Sequence, residues 1–260
     1  CGVREVNLQQ ITQQFAAAVV MPTCQMLGDK TSRWVQASRG FERSPNEETL
    51  TALNQAWLET QLVWAKGNAF EFGPVHSLGY GMAIDAPIDT ASIDWVWSRL
   101  ADADNLDSDA LDSVVAQPLQ PSLGGLGAIA YLLDSALLVS VSDEFATNDG
   151  SLVDSSLVQR RYVSEIAKSV HTAASELLSV WQVGWNGYPA YSTVLASAGG
   201  DGNLAYLSVQ SGTEEIIRGL INSLDVVVHE TLPILIESAE ASESAEAAVS
   251  MVDVQLVEAT

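Results

Sequence analysis

The chain has 260 residues, 47% of them hydrophobic, and carries 33 acidic against 11 basic residues for a formal net charge of −22. This length and composition predict a folded globular protein with a substantial core. The negative charge repels phosphate backbones and argues against nucleic acid as a partner, and no apolar run reaches the roughly 18 residues of a membrane-spanning helix. Cations, basic peptides or solubility alone remain as explanations of the acidic surface.

The two cysteines are Cys1, followed by Gly2, and Cys24, which stands in an apolar helical segment. A cysteine at the first mature position is where bacterial lipoproteins carry their acyl anchor. A disulfide in an oxidising compartment and a pair of unrelated thiols fit the sequence equally well. Three interpretations therefore stay open: a lipid anchor on Cys1, a Cys1–Cys24 disulfide, and a chain end without a role.

Apolar residues recur at helical spacing from the start of the chain. Asn7 is a favourable N-cap, and Pro22 is expected to end or kink the helix that Asn7 begins. The predicted apolar stripe of this first helix consists of Leu8, Ile11, Phe15 and Val19.

Ser44-Pro45-Asn46-Glu47 predicts the start of the next helix, with Ser44 as N-cap, Pro45 at the first helical position and Glu47 closing a capping box. Tryptophan at helical spacing is more typical of a core than of a ligand platform. The predicted stripe consists of Leu50, Leu53, Trp57, Gln61 and Trp64.

Residues 70–89 are predicted to connect helices, because Gly73-Pro74 and Ala86-Pro87 cannot continue one. Asp89 is expected to cap a short helix that carries Ile93, Trp97 and Leu100.

A series of aspartates follows that helix, and it suggests a calcium loop. The EF-hand pattern requires Gly at its sixth position and Glu at its twelfth, whereas counting from Asp102 gives Asp107 and Ser113. We therefore expect an exposed acidic linker, which contains Asp102, Asp104, Asp107, Asp109 and Asp112.

Gly124, Gly125 and Gly127 stand near the middle of the chain and precede an apolar run over 128–133. Glycine lets the backbone approach another element closely, and the apolar run has to be buried. The stretch therefore predicts a central helix start facing a cleft, where a metal or substrate site is expected. Yet none of its own side chains could bind a metal or transfer a proton.

The rest of the chain is predicted to be helical, and no alternating strand pattern competes. A long helix should end at Asn186-Gly187-Tyr188-Pro189, and another begins near Thr213. Residues 238–248 indicate a solvated helix end or a disordered linker, and the apolar pattern that resumes at Met251 predicts a natural chain continuing beyond Thr260. The stripe of the long helix consists of Val163, Ile166, Val170, Ala173, Leu177 and Trp181.

Several strings, in this order, resemble the imelysin family of bacterial exported proteins, and the resemblance extends from about Val6 to at least Leu235. The strings are Ala56-Trp57 with Trp64, Ala69-Phe70-Glu71-Phe72-Gly73-Pro74-Val75, Ile84-Asp85-Ala86-Pro87-Ile88-Asp89 with Ile93-Asp94, Gly125-Leu126-Gly127-Ala128-Ile129-Ala130-Tyr131-Leu132-Leu133, and Arg161-Tyr162.

This resemblance implies an all-α fold of two four-helix-bundle-like halves around a central cleft. We place the halves at residues 1–117 and 118–260, and expect the second to be incomplete because family members extend several helices further. The resemblance also implies export to the periplasm or the outer membrane and cell surface, often as a lipoprotein. It implies an association with iron acquisition or with a proposed metallopeptidase activity.

The chain departs from the family at the residues that carry the chemistry. The family signature Gly-x-His-x-x-Glu falls on Gly125, Gly127 and Ala130, so glycine and alanine replace the His and the Glu. A His and a Glu three residues apart share one helical face and can share a cation. The Arg and Glu that the family tends to have upstream are replaced by Gln61 and Asn68. We therefore predict a cleft that has lost its metal ligands.

Another constellation could supply a site. His76 follows Pro74-Val75 on the loop that borders the cleft in the family, and Asp85 and Asp89 come soon after. These three could bind a divalent cation or act as acid and base. A surface histidine and two helix-capping aspartates are the simpler interpretation.

We favour a non-enzymatic binding or accessory module of the imelysin type, exported and active in iron or metal uptake. Its ligand or protein partner is not identified by the sequence, and a lipid anchor would be its only contact with a membrane. One alternative is a metal-dependent peptidase that recruits His76, Asp85 or Asp89 together with a divalent metal. The other is a structural or surface-assembly component, which an exposed apolar patch would indicate.

Overall fold

The computed structural model describes residues 7–102, 113, 120–134, 155–226, 228 and 229, with the backbone alone at positions 68, 155, 156 and 226. The described part is helical apart from one small hairpin, as the all-α expectation requires. Its helices are α1 (Leu8–Phe15), α2 (Met21–Arg43), α3 (Glu47–Gly67), α4 (Pro74–Ser77), α5 (Tyr80–Asp85), α6 (Thr90–Ala101), α7 (Gly125–Asp134), α8 (Ser155–Gln182), α9 (Tyr191–Ala196) and α10 (Val209–Val226).

The 28-residue helix α8 forms the centre of the fold. It packs along α2, which also packs against α3, and it contacts α5, α6, α7 and α9 as well. The stripe predicted for this helix is confirmed, because its six residues are all buried. One connected core includes residues from both sides of the predicted boundary at 117/118, and the division into halves stays a prediction.

A π-helical turn, Ala16–Val20, joins α1 to α2 without a break in the helical path. Asn7 caps α1 as predicted, its side chain accepting a hydrogen bond from the Gln10 backbone N–H at 3.2 Å. The predicted stripe is wrong at its last position, since Val19 is 37% exposed while Val20 is fully buried. A π turn contains more residues than an α turn, so it moves the buried face on by one position.

Of the two predicted N-caps, Asp89 is confirmed and Ser44 is wrong. Asp89 caps α6 through the Ser92 backbone N–H, at 3.2 Å, and the three apolar residues predicted for that helix are buried. For α3, Ser44 is the wrong N-cap by two residues. Asn46 Oδ1 accepts from the Thr49 backbone N–H at 3.0 Å, and Thr49 Oγ1 accepts from the Asn46 backbone N–H at 3.1 Å. The capping box is therefore built from Asn46 and Thr49.

A β-hairpin follows α8, which corrects the expectation that no strand occurs. Its strands β1 (Gly184–Trp185) and β2 (Tyr188–Pro189) pair antiparallel. Asn186 and Gly187, at φ 46° and 81°, form the turn. Positive φ at both central residues is what a tight two-residue hairpin needs, and Asn-Gly is its preferred sequence.

Other expectations lie largely outside the described residues, namely Cys1, the aspartates after Asp102 and the tail beyond 229. Cys24 is buried in α2, and this burial raises the pKa of its thiol to about 12. No helix within the described ranges is long and apolar enough to cross a membrane.

The central glycine stretch makes the close backbone approach that the sequence predicts. Gly125 has φ +75°, and a Cβ placed on it would lie 2.8 Å from the backbone oxygen of Ile84. Helix α7 therefore begins directly against the last turn of α5, and only glycine fits at the contact.

We expect Gly125→Ala to lower the free energy of unfolding by about 2–4 kcal/mol, because it adds a clash with backbone to the strain of a positive φ. Gly202→Ala is the matched control, since Gly202 also has a positive φ, of +82°, but no neighbouring atom lies within 4 Å of where its Cβ would be. Urea denaturation of both variants measures the difference. Equal losses in the two variants would show that the contact with Ile84 is unimportant.

Candidate functional site

Hydrogen bonds from three other elements hold the start of α7 in place. Tyr162 Oη in α8 donates to the Leu123 carbonyl at 2.7 Å, and Trp57 Nε1 in α3 donates to the Leu126 carbonyl at 3.1 Å. The Asp89 backbone N–H, just before α6, donates to the Ser122 carbonyl at 3.1 Å. The stretch is thus fixed on several sides, which gives any side chain on its first turn a defined position.

Asp85, the last residue of α5, lies against the start of α7. The Gly127 backbone N–H and the Trp64 side chain are close enough to its carboxylate to favour the ionised form. The N–H groups of a first helical turn lack partners within the helix, and the helix dipole favours an anion there. Asp85 therefore supplies to α7 the acceptor that an N-cap side chain would otherwise provide.

The surroundings of Asp85 nevertheless disfavour its ionised form. Its side chain retains exposed surface, but protein atoms replace much of the water around the carboxylate. This desolvation raises the pKa of Asp85, and repulsion from Glu71 adds to it. The hydrogen bonds from Gly127 and Trp64 oppose the shift without cancelling it.

Gly127 and Ala130 are half-buried on α7 and offer no ligand atom. A Cβ on Gly127 would lie 3.0 Å from Ile88 Cγ2 and 3.7 Å from the nearer carboxylate oxygen of Asp85. A histidine at this position would therefore start next to the Asp85 carboxylate. In the present chain that space is lined by the Asp85 carboxylate and the Ile88 side chain.

Gln61 lies near this region on α3. Trp57 and Trp64, four residues before and three after Gln61, both bond to residues at the α5–α7 junction. Side chains at these spacings share a helix face, so Gln61, which is half-buried, faces the same way. Asn68 begins a 3₁₀ turn, Asn68–Phe70, directly after α3.

His76 lies on the short helix α4 and lines a cavity that Asp85 does not line. That cavity, of about 450 Å³, is lined by residues that include His76, Glu71, Tyr191, Glu215 and Arg218.

Asp89, the third residue of the alternative constellation, is occupied as the cap of α6. Its carboxylate also accepts from Ser92 Oγ at 2.6 Å, and these hydrogen bonds lower its pKa. Nowhere in the described ranges do three or more His, Cys, Asp or Glu side chains gather in a way that could hold a metal ion. A site formed by His76, Asp85 and Asp89 stays a prediction.

The sequence predicted Trp57 and Trp64 to pack in the core and named Tyr162 only in the family resemblance, so the hydrogen bonds of Trp57 and Tyr162 at this site were not predicted. Tyr131 was likewise overlooked, and its hydroxyl donates to Asp94 Oδ1 at 2.8 Å, which raises the pKa of Tyr131. A signal was present, because a buried tryptophan or tyrosine usually needs a partner for its polar atom. The sequence does not say which carbonyl or carboxylate that partner is.

Comparison with known proteins places these observations in a family. A family model described as Imelysin matches residues 20–259. Iron-regulated protein A of Synechococcus elongatus is 28% identical over 236 residues, or 89% of this chain and 56% of the relative. A crystal structure described as an iron-regulated protein A precursor from Parabacteroides distasonis has a TM-score of 0.56 at 17% identity, covering 84% of this chain and 56% of that one. The chain thus spans little more than half the length of both relatives.

Two substitutions test the capping role of Asp85. Asp85→Ala removes the acceptor nearest the Gly127 N–H, so we expect a loss of about 1 kcal/mol in the free energy of unfolding at pH 4, where the cost of desolvating the charged carboxylate is small. Asp85→Asn keeps an acceptor oxygen and should lose less. Urea denaturation of both variants measures the effect, and equal stability of Asp85→Ala and the unchanged protein would contradict the cap.

The pH dependence of Asp85→Asn tests the raised pKa. The native state binds the Asp85 proton more tightly than the unfolded chain, whose pKa is near 3.8. The resulting stabilisation is fully present below that value and is lost as the pH rises through the raised pKa. We therefore expect the free energy of unfolding of the unchanged protein, minus that of Asp85→Asn, to fall between about pH 3 and pH 7. A constant or increasing difference would contradict the shift.

Proposed function

The chain belongs to the imelysin family, and from that premise we propose that it is an exported, non-enzymatic binding or accessory protein that acts in iron or metal uptake. The observation that carries this proposal is the composition of the first turns of α7. The resemblance places the family's His and Glu at Gly127 and Ala130. The backbone contact at Gly125 and the hydrogen bonds from Trp57 and Tyr162 hold this helix start in place. The helix start retains its structural role without metal ligands of its own.

The position of Asp85 supports the same proposal. Its carboxylate lies at the start of α7, where the Gly127 N–H and the helix dipole favour an anion. Desolvation nevertheless raises its pKa, so the residue holds a proton more readily than an ordinary aspartate, and a protonated carboxyl group is a weaker metal ligand. The first feature is typical of a helix cap, and the second disfavours a metal ligand.

The link to iron comes from the relatives, which are described as iron-regulated protein A in two distantly related bacteria. The word precursor in the description of one relative supports export. We extend both to this chain as part of the proposal, together with a location in the periplasm or at the outer membrane.

A second candidate function, a surface-assembly component, is favoured by one face of α10. Four apolar side chains on this helix, at spacings of three and four, are each at least 41% exposed, namely Ile217, Leu220, Ile221 and Leu224. Soluble monomers seldom expose a contiguous apolar patch of this kind. Sedimentation velocity distinguishes the two candidate functions. Self-association that is abolished by Leu224→Glu would favour the assembly component, whereas a strict monomer would contradict it.

Metal binding provides the principal test of the proposal. We expect calorimetric titration with Zn²⁺ and Fe²⁺ to show no tight stoichiometric site in the unchanged protein. The double variant Gly127→His/Ala130→Glu should gain one site, with affinity at least about tenfold higher, because its new side chains share a helix face beside Asp85. Gly127→Phe/Ala130→Gln is the matched control, with similar bulk and no comparable ligand pair.

One outcome of this titration would overturn the proposal. If the unchanged protein binds one equivalent of zinc or iron tightly and His76→Ala or Asp85→Asn abolishes that binding, the metal-dependent peptidase becomes the better interpretation. A peptidase assay on the metal-loaded protein would then follow.

Export is tested by fractionating bacteria that express the complete gene. We expect the protein in the periplasmic or outer-membrane fraction, with palmitate incorporated in the unchanged protein and lost in Cys1→Ser. Unlabelled protein in the periplasm would contradict the lipid anchor but would still support export. Protein found in the cytosol alone would contradict both.

A further inference from the structure

A second cavity, of about 470 Å³, lies away from the start of α7, between the β-hairpin, helix α9 and the loop that follows α9. Pro74 and Leu78, around α4, line its other side. This volume is in the range of small-molecule sites. None of the family's signature positions lines it, so the cavity is independent of the motif on α7.

Exposed aromatic rings form one wall of this cavity. Trp185 and Tyr188 face each other across the hairpin, with ring centroids 6.5 Å apart and planes inclined by 17°. They are 44% and 70% exposed, although each has a large apolar surface that burial would favour. Leu204, on the opposite loop, is 89% exposed. A ligand can contact the apolar surface of these side chains without any rearrangement of the core.

Hydrogen bonds fix the walls in advance. In the loop after α9, Asn203 Nδ2 donates to the Val194 carbonyl at 2.7 Å, and Asn203 Oδ1 accepts from the Tyr206 backbone N–H at 2.9 Å. The hydroxyls of Tyr191 and Tyr206 bond to each other at 2.8 Å. A preformed cavity binds more tightly than one that must be ordered by its ligand, because less conformational entropy is lost.

The charge of the walls selects the ligand. Asp201 is the one carboxylate that lines the cavity, and no Lys, Arg or His lines it within the described residues. The whole chain carries a net charge of −22. Anions are therefore repelled from the site, and cations are concentrated there.

We propose that this cavity binds a small organic cation, an ammonium group attached to an apolar body. Aromatic faces attract an ammonium group through the negative charge of their π-systems, and Asp201 adds a formal opposite charge. The apolar body packs on Leu204 and the prolines of the walls. A neutral ligand of the same shape uses only the apolar contacts, and an anionic one is repelled as well.

Three probes of matched shape test the charge preference: 3-phenylpropylammonium, 3-phenyl-1-propanol and 3-phenylpropionate. We expect calorimetry to show one site for the cation, with affinity at least about tenfold higher than for the alcohol and no measurable binding of the carboxylate. If the alcohol binds as tightly as the cation, the cavity is an apolar groove and the proposal fails.

Three substitutions test the location. Trp185→Ala and Tyr188→Ala should each weaken binding of the cation by about five- to tenfold, and Asp201→Asn by about threefold. Trp95→Ala on α6 is the control, since Trp95 is 59% exposed but lies outside the cavity, and it should leave the affinity unchanged. Circular dichroism confirms that each variant is folded. Binding that is equal in all variants, or that has no defined stoichiometry, would show adsorption to the acidic surface and overturn the proposal.

Discussion

The contact between the end of α5 and the start of α7 is the constraint on which the central region depends. At Gly125 two backbones meet at a distance that excludes any Cβ, and two residues further the Asp85 carboxylate lies beside Gly127. The first contact sets the separation of the two helices and the second sets their orientation. Trp57 and Tyr162 then connect the same junction to α3 and α8. A metal site in this family position would be built on a scaffold that is already rigid.

The interactions that hold this junction act on backbone atoms and on side chains other than those of residues 127 and 130. They therefore do not depend on which side chains stand at these two positions. The Asp85 carboxylate lies beside Gly127, 3.7 Å from where a Cβ on that residue would be. A substitution at either position thus changes the chemistry next to Asp85 without removing the interactions that hold the helix start.

Much of the fold could be predicted from local sequence, and the exceptions have physical causes. The stripe of α8 and the Asp89 cap follow from interactions within a few residues, and both are correct. The hairpin was missed because strands of two residues are too short to show alternation, although Asn186-Gly187 is a recognised turn signal. Long-range placement was the harder problem. The spacing of His76 and Asp85 along the chain does not indicate that His76 lines a cavity that Asp85 does not line.

The π turn Ala16–Val20 shows how one inserted residue can set the helical phase of a whole segment. Before the turn, α1 faces α9 and α10, and after it α2 faces α3 and α8. In an uninterrupted α-helix the buried faces of α1 and α2 would keep the angle set by regular α-helical geometry. The wider π turn rotates the buried face of α2 relative to that of α1. The length of this segment is therefore specified to the single residue. A deletion within it would misalign Cys24, Leu27 and Trp34 with the core even though every residue type was retained.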